Sequence, residues 1–166
     1  IVIVGGGFAG LTLAEKMKKT GYLTVLVDKN NYHQFQPLFY QVATAGLEPS
    51  SIVYPLRKMF QKNPDTYIRV TEVERIEPEK NRVTTKLGVL NYDHLVLAHG
   101  ADTNYFGNKS LEKNVIPMKT VSEALYLRNS IFSDFENAIT SDDPEERAAL
   151  LRIVIVGGGP TGVEVG

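Results

Sequence analysis

Hydrophobic positions change their period several times along this chain. Ile1 to Val4 is a continuous apolar run that stops at Gly5-Gly6-Gly7, the pattern of a strand buried on both faces. Leu11, Ala14 and Met17 then recur at helical spacing, with Glu15, Lys16, Lys18 and Lys19 on the other side. Gly21 stands where a helix C-terminal glycine is expected. Leu23 to Val27 is a second apolar run, closed by Asp28. Together these predict one strand–helix–strand unit with a right-handed connection.

Residues 30–51 are rich in Tyr, Phe, Gln and Pro and read as a long irregular loop, of a kind more often functional than idle. Ser51 to Phe60 is expected to be helical in spite of Pro55. Thr66 to Val70 alternates as a strand does. Val73 to Ile76, Arg82 to Thr85 and Val89 to Tyr92 predict three short strands in a meander, not a crossover helix. Leu95 to Ala98 reads as another buried strand, ending in His99-Gly100. Thr120 to Ala138 carries the clearest helical pattern. Thr120 and Glu123 form a capping-box pair there, and Val121, Leu125, Phe132, Phe135 and Ile139 are expected to make one apolar face. Residues 141–144 break that helix, a short helix follows, and Ile153 is expected to start a strand again.

Composition narrows the classes. A length of 166 residues with 43% hydrophobic and 22% charged side chains is that of an ordinary globular domain. A net charge of -1 offers no electrostatic reason to expect nucleic acid. No apolar run approaches the ~18 residues of a membrane helix. The absence of cysteine removes disulfides, thiolate metal sites and redox-active Cys pairs from this stretch and fits a reducing compartment. Strand pattern already at Ile1 leads us to expect a natural start further upstream.

The chemistry lies in the glycines. Gly5-x-Gly7-x-x-Gly10, after a strand and before a helix, is a dinucleotide fingerprint in its proper context. The first glycine permits the tight turn, the second lets backbone approach a pyrophosphate, and the third lets helix pack on strand. The phosphates then meet unpaired N–H groups at the positive end of the helix. Asp28, 18 residues past Gly10, is placed to accept hydrogen bonds from ribose hydroxyls. Gly157-x-Gly159-x-x-Gly162 repeats the motif, and Ile153–Gly162 matches Ile1–Gly10 at eight of ten positions. We read it as a second nucleotide loop, opening a domain that continues past Gly166.

Two such loops, the first followed by strand, meander and strand, resemble the flavoproteins with two dinucleotide-binding domains, glutathione-reductase-like in plan. That resemblance implies an α/β fold with a Rossmann-like FAD-binding domain, its parallel sheet crossed by a β-meander. It divides the chain into residues 1–150, the N-terminal part of the FAD domain, and 151–166, the start of a truncated NAD(P)H domain. "YHQFQPLFYQVATAGLEP", from Tyr32, lacks the cysteines of disulfide reductases. It resembles the H-x-F-x-P-L-x-Y-Q-V-A-T signature of type II NADH dehydrogenases, the single-subunit NADH:quinone oxidoreductases. "NYDHLVLAHGADTNYFG", "PMKTVSEALYLRNSI" and "IVIVGGGPTGVEVG" are similar to the same family's next blocks.

By that resemblance Gly5, Gly7, Phe8, Ala9, Gly10 and Asp28 would hold the FAD pyrophosphate and ribose, with Lys29 beside the adenosine. Pro37 and Leu38 would approach the isoalloxazine ring, and Val73 would pair its backbone with the adenine edge. Ala98, His99 and Gly100 would close over the nucleotide. Gly157, Gly159 and Gly162 would take NADH, with Glu164 facing the nicotinamide and quinone region as the catalytic candidate. No metal is expected. His99 departs from the family's usual Thr, so either the local contact is rebuilt or His99 points away; a structural histidine is the plainer reading. His33 matches the family block and stays a weak candidate, and Tyr32, Phe35, Phe39 and Tyr40 are divided between loop packing and flavin contact.

The activity implied is transfer of electrons from NADH through FAD to a membrane quinone. The longer protein would be cytoplasmic and peripheral on the inner face of the cell membrane, attached through its C-terminal region, and the 166 residues alone would be inactive. A homo-oligomer is left open. Two other readings remain: a cysteine-free flavoprotein reducing ferredoxin or another protein, and a non-catalytic nucleotide-binding module.

Overall fold

Four of the apolar runs meet side by side in a computed structural model that describes all residues, Ile1–Gly166. They are β1 (Val2–Val4), β2 (Thr24–Asp28), β5 (Thr66–Val70) and β9 (Leu95–Leu97), in the order β5-β2-β1-β9, every neighbouring pair parallel. The register lines up Ile68, Leu26, Ile3 and Val96 in one row across the sheet. Side chains alternate between faces along each strand. Ile3 and Leu26, fully buried, therefore pack on one face against Ala14 of α1 (Phe8–Met17) and against Leu56 and Phe60 of α3 (Leu56–Phe60). Val2 and Val27 face the other way, onto Val83 of a three-stranded antiparallel meander. The meander consists of β6 (Val73–Glu77), β7 (Arg82–Thr85) and β8 (Gly88–Asn91), so a small sheet replaces a crossover helix. The expected Rossmann-like α/β fold with its meander is what the chain forms.

A two-stranded antiparallel pair, β3 (Tyr32–Gln34) with β4 (Val53–Pro55), completes this unit, which comprises Ile1–Gln34 and Val53–Ala101. The second compact unit is Phe35–Ile52 with Asp102–Gly166. It holds α2 (Phe39–Ala43), α4 (Lys109–Asn114), α5 (Val121–Thr140), α6 (Pro144–Leu150) and α7 (Pro160–Val165). Within it α2 packs on α5, and Arg147 of α6 donates to the carbonyls of Ala138 and Ser141 at 3.2 and 2.7 Å, tying α6 to the end of α5. The Thr120–Glu123 capping box forms as expected.

Several expectations need correction. Residues 30–51 are ordered locally into β3, a 3-10 turn at Gln36–Leu38, α2 and a second 3-10 turn at Pro49–Ser51. The helix expected over Ser51–Phe60 begins only at Leu56. Pro55 disfavours helical backbone at Tyr54, and Val53–Pro55 pairs instead with Tyr32–Gln34. α1 ends at Met17, and Lys19, not Gly21, takes the first left-handed position, with φ 64°. The apolar face of α5 is not the one expected. Val121, Ala124 and Ala138 are buried, whereas Phe132, Phe135 and Ile139 are 50, 43 and 76% exposed. The burial of Ala124 and Ala138 follows the packing of α2 and α6 on α5 rather than the apolar stripe. Ile153–Val156 forms no strand and is exposed, because a strand needs a hydrogen-bonding neighbour and no strand pairs with this segment.

Candidate functional site

The carboxyl ends of β1, β2 and β9 converge on the first glycine loop. Gly5 turns the chain with φ 107°, and a Cβ there would stand 2.8 Å from His99 Cα and closer still to the Ala98 carbonyl. A Cβ on Gly10 would overlap the Gly5 carbonyl oxygen and reach 3.3 Å from Ile3 Cγ2, so the glycine lets α1 lie directly on the strand. Gly5, Gly6 and Gly10 are buried, while Gly7, Phe8 and Ala9 are exposed. A Cβ on Gly7 would meet nothing within 4 Å. The loop is thus closed against the protein and open towards solvent along Gly7–Ala9.

Capping distinguishes this helix start from others in the same chain. α4, α5 and α6 are capped by the side chains of Asn108, Thr120 and Asp143. α1 has no side-chain cap and no acid in its first turn, and its hydrogen-bond ladder begins with the Leu11 N–H to the Gly7 carbonyl at 2.9 Å. A helix start without a side-chain cap presents its positive end to whatever approaches Gly7. Dipole and donors together favour an anion.

Two side chains hold the loop from below. Asp28 accepts from the Gly6 N–H at 2.6 Å and from the Asn30 N–H at 2.7 Å, one on each carboxylate oxygen, which leaves each oxygen further accepting capacity. His33 is buried, and its Nδ1 lies 3.1 Å from the Gly6 carbonyl oxygen. A carbonyl only accepts, so the proton of that bond is on Nδ1. The His33 ring also meets Phe8 edge-on at 5.1 Å between centroids. His33 thus braces the glycine loop, a role its place in the sequence did not reveal.

Beside the loop lies an open cavity of about 580 Å³ lined by Gly5, Asp28, Lys29, Val73 and His99 among the expected residues. Ala98 and Gly100 flank His99, and the Ala98 N–H is fixed to the Val4 carbonyl at 2.7 Å. His99 lines the cavity. Val73 opens β6, an edge strand of the meander whose pairing with β7 is irregular between Val73 and Arg75. Thr71, Glu72, Glu74, Ile76 and Leu97 also line the cavity and were not expected to. The local signal was the position of the first four just past β5 and in β6, and of Leu97 at the end of β9, legible only once the meander is known to fold over the sheet's carboxyl end. Lys86 hydrogen-bonds Glu72 and holds its carboxyl below the usual carboxylate range, with a smaller contribution from the charge on Lys29. Glu72 in turn holds Lys86 above the usual lysine range.

The remaining expected residues belong to the second unit. Pro37 and Leu38 sit in the Gln36–Leu38 turn, Pro37 exposed and Leu38 half-buried, and Phe39 is buried in α2. The second glycine loop reproduces the first: φ is 113° at Gly157, Gly159 starts α7 from extended backbone, and a Cβ on Gly162 would stand 3.4 Å from Ile155 Cγ2. α7 likewise has no side-chain cap. Gly157 and Gly159 are exposed, as is Glu164.

Comparison with known proteins agrees with this arrangement. The family model described as pyridine nucleotide-disulphide oxidoreductase matches residues 1–166. The type II NADH:quinone oxidoreductase Ndh of Mycobacterium tuberculosis is 39% identical over 169 residues, covering 99% of this chain and 36% of the relative. The external alternative NAD(P)H-ubiquinone oxidoreductase B2, mitochondrial, of Arabidopsis thaliana is 34% identical over 99% of this chain and 30% of its own length. The structure of NDH2 from Plasmodium falciparum in complex with NADH superposes with a TM-score of 0.91 at 26% identity, covering 99% of this chain and 35% of that one. The chain thus spans about a third of the length of the curated relatives it matches.

Proposed function

The chain belongs to the pyridine nucleotide-disulphide oxidoreductase family, and from that premise we propose that it supplies the FAD-binding part of a type II NADH:quinone oxidoreductase. In this reading residues 1–150 are the N-terminal part of the FAD domain and 151–166 open the NAD(P)H domain. The observation that carries it is the uncapped, glycine-built start of α1 beside a cavity at the carboxyl edge of a parallel sheet.

The residues present fit FAD. A Cβ at Gly7 would enter open space, so a pyrophosphate can approach the uncapped start of α1. Asp28, already oriented by Gly6 and Asn30, keeps accepting capacity for ribose hydroxyls. Lys29 stands by the adenosine, the backbone of Val73 by the adenine edge, and Ala98, His99 and Gly100 close over the nucleotide. Pro37 and Leu38 offer an apolar surface to the flavin ring. Gly157, Gly159 and Gly162 bind NADH, and Glu164 faces the nicotinamide and quinone region. FAD held by these residues would supply the acceptor for a hydride from NADH and the donor of two electrons to a quinone. The protein contributes orientation, exclusion of water and a fixed electrostatic setting. Attachment of the longer protein to the inner face of the cell membrane belongs to the same proposal; no helix of this chain is long and apolar enough to cross a membrane.

The test is the absorption spectrum of the longer protein that carries these residues. It should show bound flavin that bleaches on adding NADH and recovers with a quinone but not with ferredoxin. The 166 residues alone should oxidise no NADH with quinone. Absence of bound flavin, or recovery only with ferredoxin, would overturn the reading.

A further inference from the structure

The helical layer on the parallel sheet carries an unbalanced charge. Residues 8–23 and 56–65, which hold α1 and α3 with the turns that follow them, contain six of the chain's 18 Lys and Arg but two of its 19 Asp and Glu. α1 and α3 pack on the same face of the sheet, and they meet where the Lys18 ammonium lies 4.7 Å from the centre of the Phe60 ring. Lys18 is also paired with Glu15, one of the two acids. Lys16, Lys19, Arg57, Lys58 and Lys62 are exposed and make no ion pair. Lys16 and Lys58 each stand two positions past a buried residue, Ala14 and Leu56, which is roughly 200° round the helix and directly outward.

Helix stability does not account for these charges. Arg57 and Lys58 occupy the first turn of α3, the end at which the helix dipole disfavours cations, and no acid stands there. Exposed, unpaired cations crowded on one face also repel one another. They suit an anionic layer outside the protein. Between Lys19 and β2, Tyr22 and Leu23 are 53 and 58% exposed, side chains of the kind that enter a headgroup region beside lysines. The main cavity is lined by Val4, Val27 and Ile76, which belong to the opposite, meander face of the sheet, and by Glu72 and Glu74. A flat surface laid on α1 and α3 therefore leaves that cavity open. It also stands two packed layers, roughly 20 Å, from the meander's acids, beyond the ~8 Å screening length at physiological salt. We propose that this face of α1 and α3 is a docking surface for an anionic lipid bilayer, with Lys16, Lys19, Lys58 and Lys62 at the headgroups and Tyr22 and Leu23 beside them. The contact is additional to the membrane attachment proposed above and does not rest on the flavin reading.

Partition of the longer protein is measured by flotation with vesicles of phosphatidylcholine alone and of phosphatidylcholine with phosphatidylglycerol. The unchanged protein should favour the anionic vesicles, and the preference should shrink as salt is raised. A lysine at an anionic surface contributes roughly fivefold to binding, so Lys58→Gln with Lys62→Gln should lower partition to the anionic vesicles roughly twentyfold and leave partition to phosphatidylcholine alone as it was. Lys109→Gln with Lys113→Gln, at exposed lysines of α4, makes the same change in net charge and should have little effect. Equal loss in the two pairs overturns the proposal as a net-charge effect, and so does equal partition of the unchanged protein to both kinds of vesicle. Each variant should keep the flavin content of the unchanged protein; loss of flavin together with vesicle binding would place the lysines in the nucleotide site and overturn the docking role. If Lys58→Gln with Lys62→Gln does not fold, Lys16→Gln with Lys19→Gln carries the same expectation. Tighter retention by duplex DNA or polyglutamate than by the anionic vesicles overturns the assignment to lipid. Binding to neither vesicle overturns the membrane attachment of the longer protein as well, which the lysine variants alone cannot do.

Discussion

Replacing Gly10 or Gly7 with alanine adds the same methyl group three residues apart in one loop, yet the two should fail differently. At Gly10 the new Cβ would overlap the Gly5 carbonyl oxygen and lie 3.1 Å from its carbon, and this is backbone that cannot swing aside as a side chain would. Relief requires moving α1 off β1, which loosens the packing of Ala14 and Leu11 on Ile3 and Leu26. Overpacking of this kind costs about 3 kcal/mol, at the upper end of its usual range. For a chain of this size that corresponds to a fall in melting temperature of roughly 6–12 °C. At Gly7 the backbone is extended, with φ -73° and ψ -166°, and the Cβ would meet nothing within 4 Å. Gly7→Ala should therefore melt like the unchanged protein and lose FAD affinity roughly tenfold or more, because the methyl occupies the approach of the pyrophosphate. Thermal unfolding of the apoproteins by circular dichroism, with FAD titration by fluorescence, reads both quantities. A Gly10→Ala protein that melts unchanged would refute the packing argument, and a Gly7→Ala protein that binds FAD normally would refute the phosphate approach.

Three other consequences are open to measurement. His33→Leu removes the bond to the Gly6 carbonyl and the edge contact with Phe8, and should lower stability by roughly 1–3 kcal/mol and weaken FAD binding through a loosened loop; calorimetry showing no change would count against the bracing role. Arg147→Ala leaves the carbonyls of Ala138 and Ser141 without their guanidinium donor and should cost about 1 kcal/mol in chemical denaturation, with fraying of amide exchange confined to the end of α5. Because the folded state holds Glu72 below its ordinary value, the Lys86–Glu72 pair stabilises above the ordinary carboxylate range and loses that contribution as pH falls through the lowered value. Held above its ordinary value, Lys86 adds stability below the usual lysine range and loses it as pH rises through the raised value. Lys86→Met should return the Glu72 titration, followed by NMR, upward towards an unperturbed glutamate, and no movement would show that the pair does not persist in solution.

The parallel sheet and the glycine turn were legible because each is dictated by neighbours in the chain. An apolar run stopped by glycines, a helix period and a second run closed by an acid specify a strand–helix–strand unit locally. The turn at Gly5 and Gly10 is local enough to be reproduced at Gly157 and Gly162 although Ile153–Val156 has joined no sheet. Capping followed the same logic at Thr120 and Glu123, where the partners are three residues apart. What sequence periodicity could not decide was which neighbour would arrive from elsewhere. The buried face of α5 was not legible because an apolar stripe says what could be buried, whereas Ala124 and Ala138 are what the assembled chain buries. The start of the Ser51–Phe60 helix was not legible because β4 exists only through pairing with residues about twenty positions earlier. The cavity likewise needed β6 to fold back over the carboxyl ends of β1, β2 and β9 before Thr71 and Glu72 could join Asp28 and His99. Sequence alone determined the glycine turn on which the proposed nucleotide site rests, since backbone conformation and helix polarity are local properties of glycines and their spacing. Tertiary structure decided that His33 and Asp28 brace the loop, because burial and hydrogen-bond satisfaction belong to the assembled chain.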